Sequence, residues 1–534
     1  MSIHPMTAAD AAWYHMDGPA NLAVVTGVLL TTQPVDFARV RKLFQDRLLG
    51  FERFRQRVVE VGLPIASPHW QDVPHFDIDQ HLHHIALAAP HNQAALRTLV
   101  GDITSTALHR ELPLWQAYVV DDVEGGSALI MRCHHCLADG TAMMTVAQRL
   151  FDTEPSAWRH KLPPVQAPAP QHSAGSGLLA PALNAIEQAA GGAMAAASAT
   201  LDVVTHPQQA LEKAKLVLGG AGMLLGELLK SDDPQSPLKG EFAPGKRVAW
   251  SKPVAIQDVK AIGARHGAKV NDVLVAAMTG ALRSYLRGRG IDVNHTSVRA
   301  MVPVDLRPPE RMGQLGNEFG LVLLDLAVTK ARADHRIALT KARMDALKHS
   351  PEPLATRALL DLMGRLPKVL EDFSNDLFGR KASLVMTNVT GPREELYLAG
   401  APIERMLAWA PHPGKQLGMA VSIFSYKGMA GLTVIGDAHL VPDPETITEE
   451  FNREFRKMQK TIATADAAAA KVAKPKAPAK KAVASKPPAK KAPVKAPAPK
   501  ATAKARPATA KAAAKAVPAP RARAAKPAAK ATRK

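Results

Sequence analysis

The chain has 534 residues, 46% of them hydrophobic, only two cysteines and a formal net charge of +20. That length accommodates two substantial cores, while two cysteines exclude a disulfide framework and point to a reducing compartment. The charge does not make the whole chain a polyanion binder: 20 of the 68 Lys and Arg residues lie between Lys471 and Lys534, where there is no Asp or Glu, leaving 48 basic against 48 acidic residues elsewhere.

The N-terminus, "MSIHPMTAADAAWYHMDG", has an early acidic residue and no long apolar run, so no signal peptide is expected. Residues 1–160 mix strand-like runs ("NLAVVTGVLLTT", "WQAYVVDD", "SALIMRCHH") with helical patterns ("FARVRKLFQDRLL", "TAMMTVAQRLF"), which predicts a mixed α/β domain. Within it "HLHH", His81 to His84, reads as a surface turn. Residues 161–246 open with the linker "KLPPVQAPAPQHSAGSG" and continue as an Ala/Gly/Leu-rich helical stretch, either crossover helices or a lipid-contacting face. Its most apolar part, "LVLGGAGMLLGELL" (Leu216 to Leu229), is shorter than the ~20 residues needed to span a bilayer and contains Glu227. A second α/β block occupies 247–465, with strands "RAMVPVDL", "GLVLLDLAV", "ASLVMTNV", "GMAVSIFSY" and "MAGLTVIGD" and the helix "VNDVLVAAMTGALRSYLRG". Residues 466–534 repeat Ala, Lys and Pro without an aromatic residue, a composition that buries no core and predicts a disordered tail.

The chemistry concentrates in "ALIMRCHHCLADGTAMM", residues 128 to 144. A zinc site would need four side chains converging on one point, but along an extended run Cys133 and His135 face one way and His134 the other. The same alternation suits catalysis: His135 closes a strand facing a cavity, "LADG" turns into a helix near Thr141, and a neutral imidazole there accepts a hydroxyl proton near neutral pH. Asp139 either accepts from that imidazole or braces the loop by pairing with an Arg, and Gly140 relieves the turn. By composition alone H-H-x3-D-G is expected on the order of once in 500 such chains.

"HHCLADG" matches the HHxxxDG motif of the CoA-dependent acyltransferase superfamily, and its surroundings resemble the bacterial bifunctional wax ester synthase/diacylglycerol acyltransferases. Pro113-Leu114-Trp115 matches that family's PLW motif and Asn271-Asp272 its ND motif. "VPVDLRP" (Val302 to Pro308), "LGNEFG" (Leu315 to Gly320) and "TNVTGP" (Thr387 to Pro392) follow in family order, with Thr390 where the family usually has Pro. The overlapping H-x4-D signature of glycerophosphate acyltransferases belongs to smaller single-domain proteins. No G-x-S-x-G, Walker or H-E-x-x-H pattern supports a hydrolase, NTPase or zincin.

The resemblance covers roughly residues 1–460. It implies two chloramphenicol-acetyltransferase-like mixed-sheet domains with an interface tunnel, and esterification of diacylglycerol or a long-chain fatty alcohol by a long-chain acyl-CoA. Acyl-CoA is then a substrate, and no cofactor or metal is implied. His135 is the expected proton acceptor, with His134 supporting it. Asn271 either donates to the oxyanion or positions the acyl chain and Asp272 caps its helix, unless both merely start that helix. Pro113, Leu114 and Trp115 shape the tunnel or pack the strand, and Cys133 and Cys136 are wall thiols rather than nucleophiles. The expected location is cytoplasmic, at the inner face of the membrane or on lipid bodies, with Lys471 to Lys534 contacting DNA or anionic lipid. The alternatives are another hydroxylated acceptor, or a non-catalytic lipid-granule or nucleoid tether.

Overall fold

This computed structural model describes residues 3–18, 22–60, 68–160, 162, 231–243, 245–350, 352–363, 379–412 and 416–473, and among the described residues seven strands and four α-helices precede residue 151. The Leu216 to Leu229 stretch and the basic tail beyond Ala473 lie outside the described residues. The first half contains β1 (Ile3–Pro5), α1 (Ala8–Met16), β2 (Val24–Thr31), α2 (Phe37–Arg47), β3 (Gln56–Val59), β4 (His69–Asp72), β5 (Leu82–Ala86), α3 (Gln93–Thr104), β6 (Trp115–Val123), β7 (Gly126–His134) and α4 (Gly140–Leu150). The helices start where short polar side chains cap them: Thr7 accepts from the Asp10 amide at 3.2 Å, Asp36 from Arg39 at 3.1 Å and Asn92 from Ala94 at 3.0 Å.

The second half contains β8 (Lys246–Trp250), β9 (Val254–Ala255), α5 (Ile256–His266), α6 (Val270–Gly288), β10 (Arg299–Asp305), β11 (Phe319–Asp325), α7 (Ala333–Lys348), α8 (Glu352–Met363), β12 (Leu384–Thr390), β13 (Tyr397–Leu398), β14 (Ala401–Trp409), β15 (Met419–Tyr426), β16 (Met429–Asp437) and α9 (Pro444–Ala473). The last helix runs past the expected boundary at 465, so residues 466–473 are helical rather than disordered. Ala-Lys runs are good helix formers, and a helix already nucleated on a packed face extends through them.

The strands form two large mixed sheets, ordered β13-β14-β2-β7-β6-β5 and β11-β10-β12-β15-β16-β8, with β9 on β16, and a small sheet β1-β4-β3. β5 runs parallel to β6, as β12 does to β10 and β15. β14 comes from the second half of the sequence yet completes the first sheet, pairing antiparallel with β2 from Trp409↔Thr26 to Ile403↔Thr31. The two sheets share an apolar layer containing Val28, Ile130, Trp250, Val385 and Trp409. Trp250 and Trp409 meet there edge-on at 5.8 Å, and the Trp409 indole donates to the Val434 carbonyl at 3.0 Å.

His81 to His84 are not a surface turn. Leu82, His83 and His84 open edge strand β5, and His81 just before it is buried, stacked on Trp115 at 4.7 Å with its Nδ1 2.8 Å from the Trp115 carbonyl. A three-histidine string looks solvated, but an imidazole is a flat, partly apolar ring that packs well once one nitrogen is bonded.

Candidate active site

β7 is buried along nearly its whole length between β2 and β6, as its near-continuous apolar run requires. It ends at His134, whose amide donates to the Leu114 carbonyl at 2.9 Å, while the His135 amide donates to Ala23 at 2.7 Å. Both histidines are therefore held by backbone on either side before any side chain acts.

The His135 ring stacks on Trp13 of α1, with centroids 3.9 Å apart and planes 15° apart, and Phe319 meets its edge at 5.8 Å. Its Nδ1 lies 2.9 Å from Oδ1 of Asn317. Asn317 donates from Nδ2 to Oδ1 of Asp10 at 2.8 Å and to the His135 carbonyl at 2.9 Å, and its amide donates to Asp10 at 3.1 Å. Asp10, wholly buried, pairs through Oδ2 with Arg53 at 2.9 Å, and Arg53 donates to the Leu137 carbonyl at 2.9 Å. Burial pushes the His135 pKa below the ordinary 6.5, partly opposed by Asp139, Asn317 and Asp10. The ring is neutral at pH 7, as a general base must be.

Asp139 takes the bracing role of the two left open by the sequence. Its Oδ2 accepts from Arg307 at 2.6 Å and from the Glu318 amide at 3.0 Å, and its Oδ1 caps α4 through Ala142 at 2.9 Å. Arg307 also donates to the carbonyls of Gly316 at 2.9 Å and Gln314 at 2.5 Å. Thr141 donates to Asp305 at 2.8 Å. "VPVDLRP" and "LGNEFG" thus clasp the loop after the histidines. Gly316 reaches this position with φ +114°, where a side chain would be strained. Gly140 is different: it is the first residue of α4, its φ is not positive, and a Cβ there would meet Val389 at an ordinary 3.5 Å. The expected relief of the turn by Gly140 is not needed, because Asp139 adopts the extended cap conformation without strain.

The family model for the wax ester synthase/diacylglycerol acyltransferase catalytic domain matches residues 6–274, and that for the C-terminal domain of the same family matches 315–459. The chain belongs to this family. It is 26% identical over 447 residues to the Mycobacterium tuberculosis (strain H37Rv) protein named "Probable diacyglycerol O-acyltransferase tgs1", covering 82% of this chain and 92% of that one. Among solved structures it is similar to the wax ester synthase/diacylglycerol acyltransferase from Marinobacter aquaeolei VT8, with TM-score 0.62, 19% identity and coverage of 86% and 100% of the two chains. It also resembles the first condensation domain of the calcium-dependent antibiotic synthetase in complex with a substrate analogue, with TM-score 0.55, 16% identity and coverage of 86% and 96%. The chain is an O-acyltransferase with the two-domain α/β fold expected of the family.

Other motif residues of this family member occupy distinct places. His134 turns away from His135: its Nδ1 accepts from the Cys136 amide at 3.1 Å, and its Nε2 lies 3.8 Å from Asp17. Burial outweighs that carboxylate and lowers its pKa to about 4, so it is a neutral strut. Burial pushes the Cys133 thiol up to about 12 and Cys136 well above its ordinary value, so neither is a thiolate nucleophile at neutral pH. In the PLW motif, the buried Pro113 orders the approach to β6, with the Trp115 amide donating to its carbonyl at 2.8 Å. Leu114 anchors His134, and Trp115 packs against Phe44 and Phe54 with its indole bonded to the Phe54 carbonyl at 2.9 Å. All three residues support the strand that carries the histidines.

The ND motif does not join them. Asn271 is exposed at the start of α6, and Asp272 accepts from the Lys269 amide at 2.7 Å as a cap, beside the core of the second sheet. Neither has a hydrogen bond to the described residues around His135, and Asp272 has the helix-starting role that the sequence left open for it. Asp10, Trp13 and Arg53 belong to no motif that marks them in the sequence. The spacing of three that puts Asp10 and Trp13 on one face of a short capped helix was a visible signal, but nothing local tied that face to His135.

Proposed function

We propose that this enzyme transfers a long-chain acyl group from acyl-CoA to diacylglycerol or a long-chain fatty alcohol, with His135 as general base. The observation that carries the reading is a buried, neutral imidazole whose Nδ1 is bonded to Asn317 while no described residue bonds its Nε2. Nε2 takes the acceptor's hydroxyl proton as the oxygen attacks the thioester carbonyl, forming a tetrahedral oxyanion. Collapse breaks the C–S bond, expels CoA as thiolate, and the imidazolium returns the proton to sulfur. The protonated state of both cysteines supports direct attack without an acyl-enzyme. Among the described residues no helix is long and apolar enough to cross a membrane, and the lipid acceptors place the enzyme peripherally on a membrane or lipid-body surface in this reading.

The test is CoA release from palmitoyl-CoA with dioleoylglycerol or hexadecanol, with chromatography of the lipids. Triacylglycerol or wax ester is expected only when an acceptor is present; no ester from either acceptor rejects the reading. A pH profile tests the base. A base works unprotonated, so kcat/KM is expected to fall as pH drops through the folded-state pKa, which lies below 6.5. An acid limb centred at or above 6.5 contradicts a buried imidazole as the titrating group.

A further inference from the structure

We propose that Asn317 and Asp10 are positioning residues that lock His135 as its Nδ1–H tautomer, leaving the Nε2 lone pair to face the substrate. The proposal rests on the reading of His135 as the base and assigns the machinery that makes it one. An amide has one oxygen and two N–H donors. Both Asn317 donors are committed to groups that only accept: Asp10 Oδ1 at 2.8 Å and the His135 carbonyl at 2.9 Å. Rotating the amide by 180° would set its oxygen against a carboxylate and a carbonyl, so the orientation is determined by its neighbours. The Asn317 oxygen, 2.9 Å from Nδ1, therefore accepts, and the ring nitrogen must donate.

Asp10 is held as firmly as the amide it orients. It accepts from the Asn317 backbone at 3.1 Å and pairs with Arg53 at 2.9 Å, and Arg53 reaches back to the Leu137 carbonyl just after the histidines. The same helix α1 supplies Trp13, whose indole clamps the ring plane at 3.9 Å. Ring rotation, amide orientation and tautomer are thus set by one connected group. The amide also moderates charge: a carboxylate directly on Nδ1 would favour the imidazolium, whereas an amide backed by Asp10 transmits only part of that field. When Nε2 takes the hydroxyl proton, the polarised amide stabilises the cation without creating it beforehand. Lacking the clamp, the neutral ring populates both tautomers, and the wrong one presents an N–H to the hydroxyl it should deprotonate.

The experiment uses the full chain, labelled with 15N at histidine, as Asn317→Ala and Asp10→Asn. Asn317→Ala is expected to lower kcat roughly 10- to 100-fold with KM for palmitoyl-CoA little changed, and to shift the His135 resonances from one tautomer to a mixture. Asp10→Asn keeps an acceptor for Asn317 but removes the charge, so the acid limb of kcat/KM is expected to move to lower pH. Normal kcat in Asn317→Ala with a single Nδ1–H signal overturns the clamp, and an unmoved acid limb in Asp10→Asn removes Asp10 from it. The activity of His135→Ala distinguishes the two levels: if it stays active the base reading fails, whereas an inactive His135→Ala beside a fully active Asn317→Ala sinks the clamp alone.

Discussion

Replacing His135 by alanine is expected to lower acyl transfer roughly 10²- to 10⁴-fold, the range for loss of a positioned general base. The measurement is CoA thiol release from palmitoyl-CoA with either acceptor. Thermal unfolding should change far less, because the ring sits at the end of a strand whose pairing survives and loses chiefly its stack on Trp13. Cys133→Ser and Cys136→Ser make the contrast. Both thiols are held protonated, so turnover should remain within a few-fold of the parent if neither forms a covalent intermediate. Near-normal turnover by His135→Ala would show that the proton leaves by another route.

The second large effect is on stability. Asp139→Ala removes one partner from an ion pair in which the Asp139 and Arg307 side chains are 8% and 1% exposed, at 2.6 Å. Breaking such a pair typically costs about 3–5 kcal/mol, because the remaining charge stays buried. Loss of the α4 cap contributes about 1 kcal/mol more, not simply additive. The check is the guanidinium midpoint, with Asp139→Asn as the separating variant: it retains an acceptor for the Ala142 amide but removes the charge facing Arg307, so its midpoint should fall between the two. Changing both partners to apolar residues, Asp139→Leu with Arg307→Met, is expected to restore part of the loss. The pair mainly sets the position of the loop against its partners, since a buried pair adds little over apolar packing. A guanidinium midpoint unchanged in Asp139→Ala would mean that other contacts hold the loop.

The histidine motif was legible because its chemistry is local. A β-prone apolar run, two histidines and an Asp-Gly within a few residues specify a strand, a turn and a helix start, and those formed as β7, the Asp139 cap and α4. The strongest runs elsewhere were equally plain: "GMAVSIFSY" and "MAGLTVIGD" became β15 and β16, and "VNDVLVAAMTGALRSYLRG" became α6. β14 is not legible in the sequence because "APIERMLAW" has neither clean alternation nor a continuous apolar run. Its residues are buried by pairing with β2 and packing on the second sheet, a context no window along the chain contains. "HLHH" misled for the related reason that what buries His81 is Trp115, a residue of another strand.

The sequence by itself determined the histidine motif, the acyl-transfer family and the alternation of strands and helices, since each rests on residues close together in the chain. Only the tertiary structure decided what surrounds the His135 ring. Asn317 lies 182 positions from His135, and Asp10 another 307 from Asn317. Their hydrogen bonds exist only because α1, the end of β7 and the segment entering β11 are packed together. The choice between Asp139 as partner of the imidazole or of an arginine was settled the same way. Hydrogen bonds and ion pairs act over about 3 Å, and it is folding, not sequence spacing, that brings distant residues within that reach.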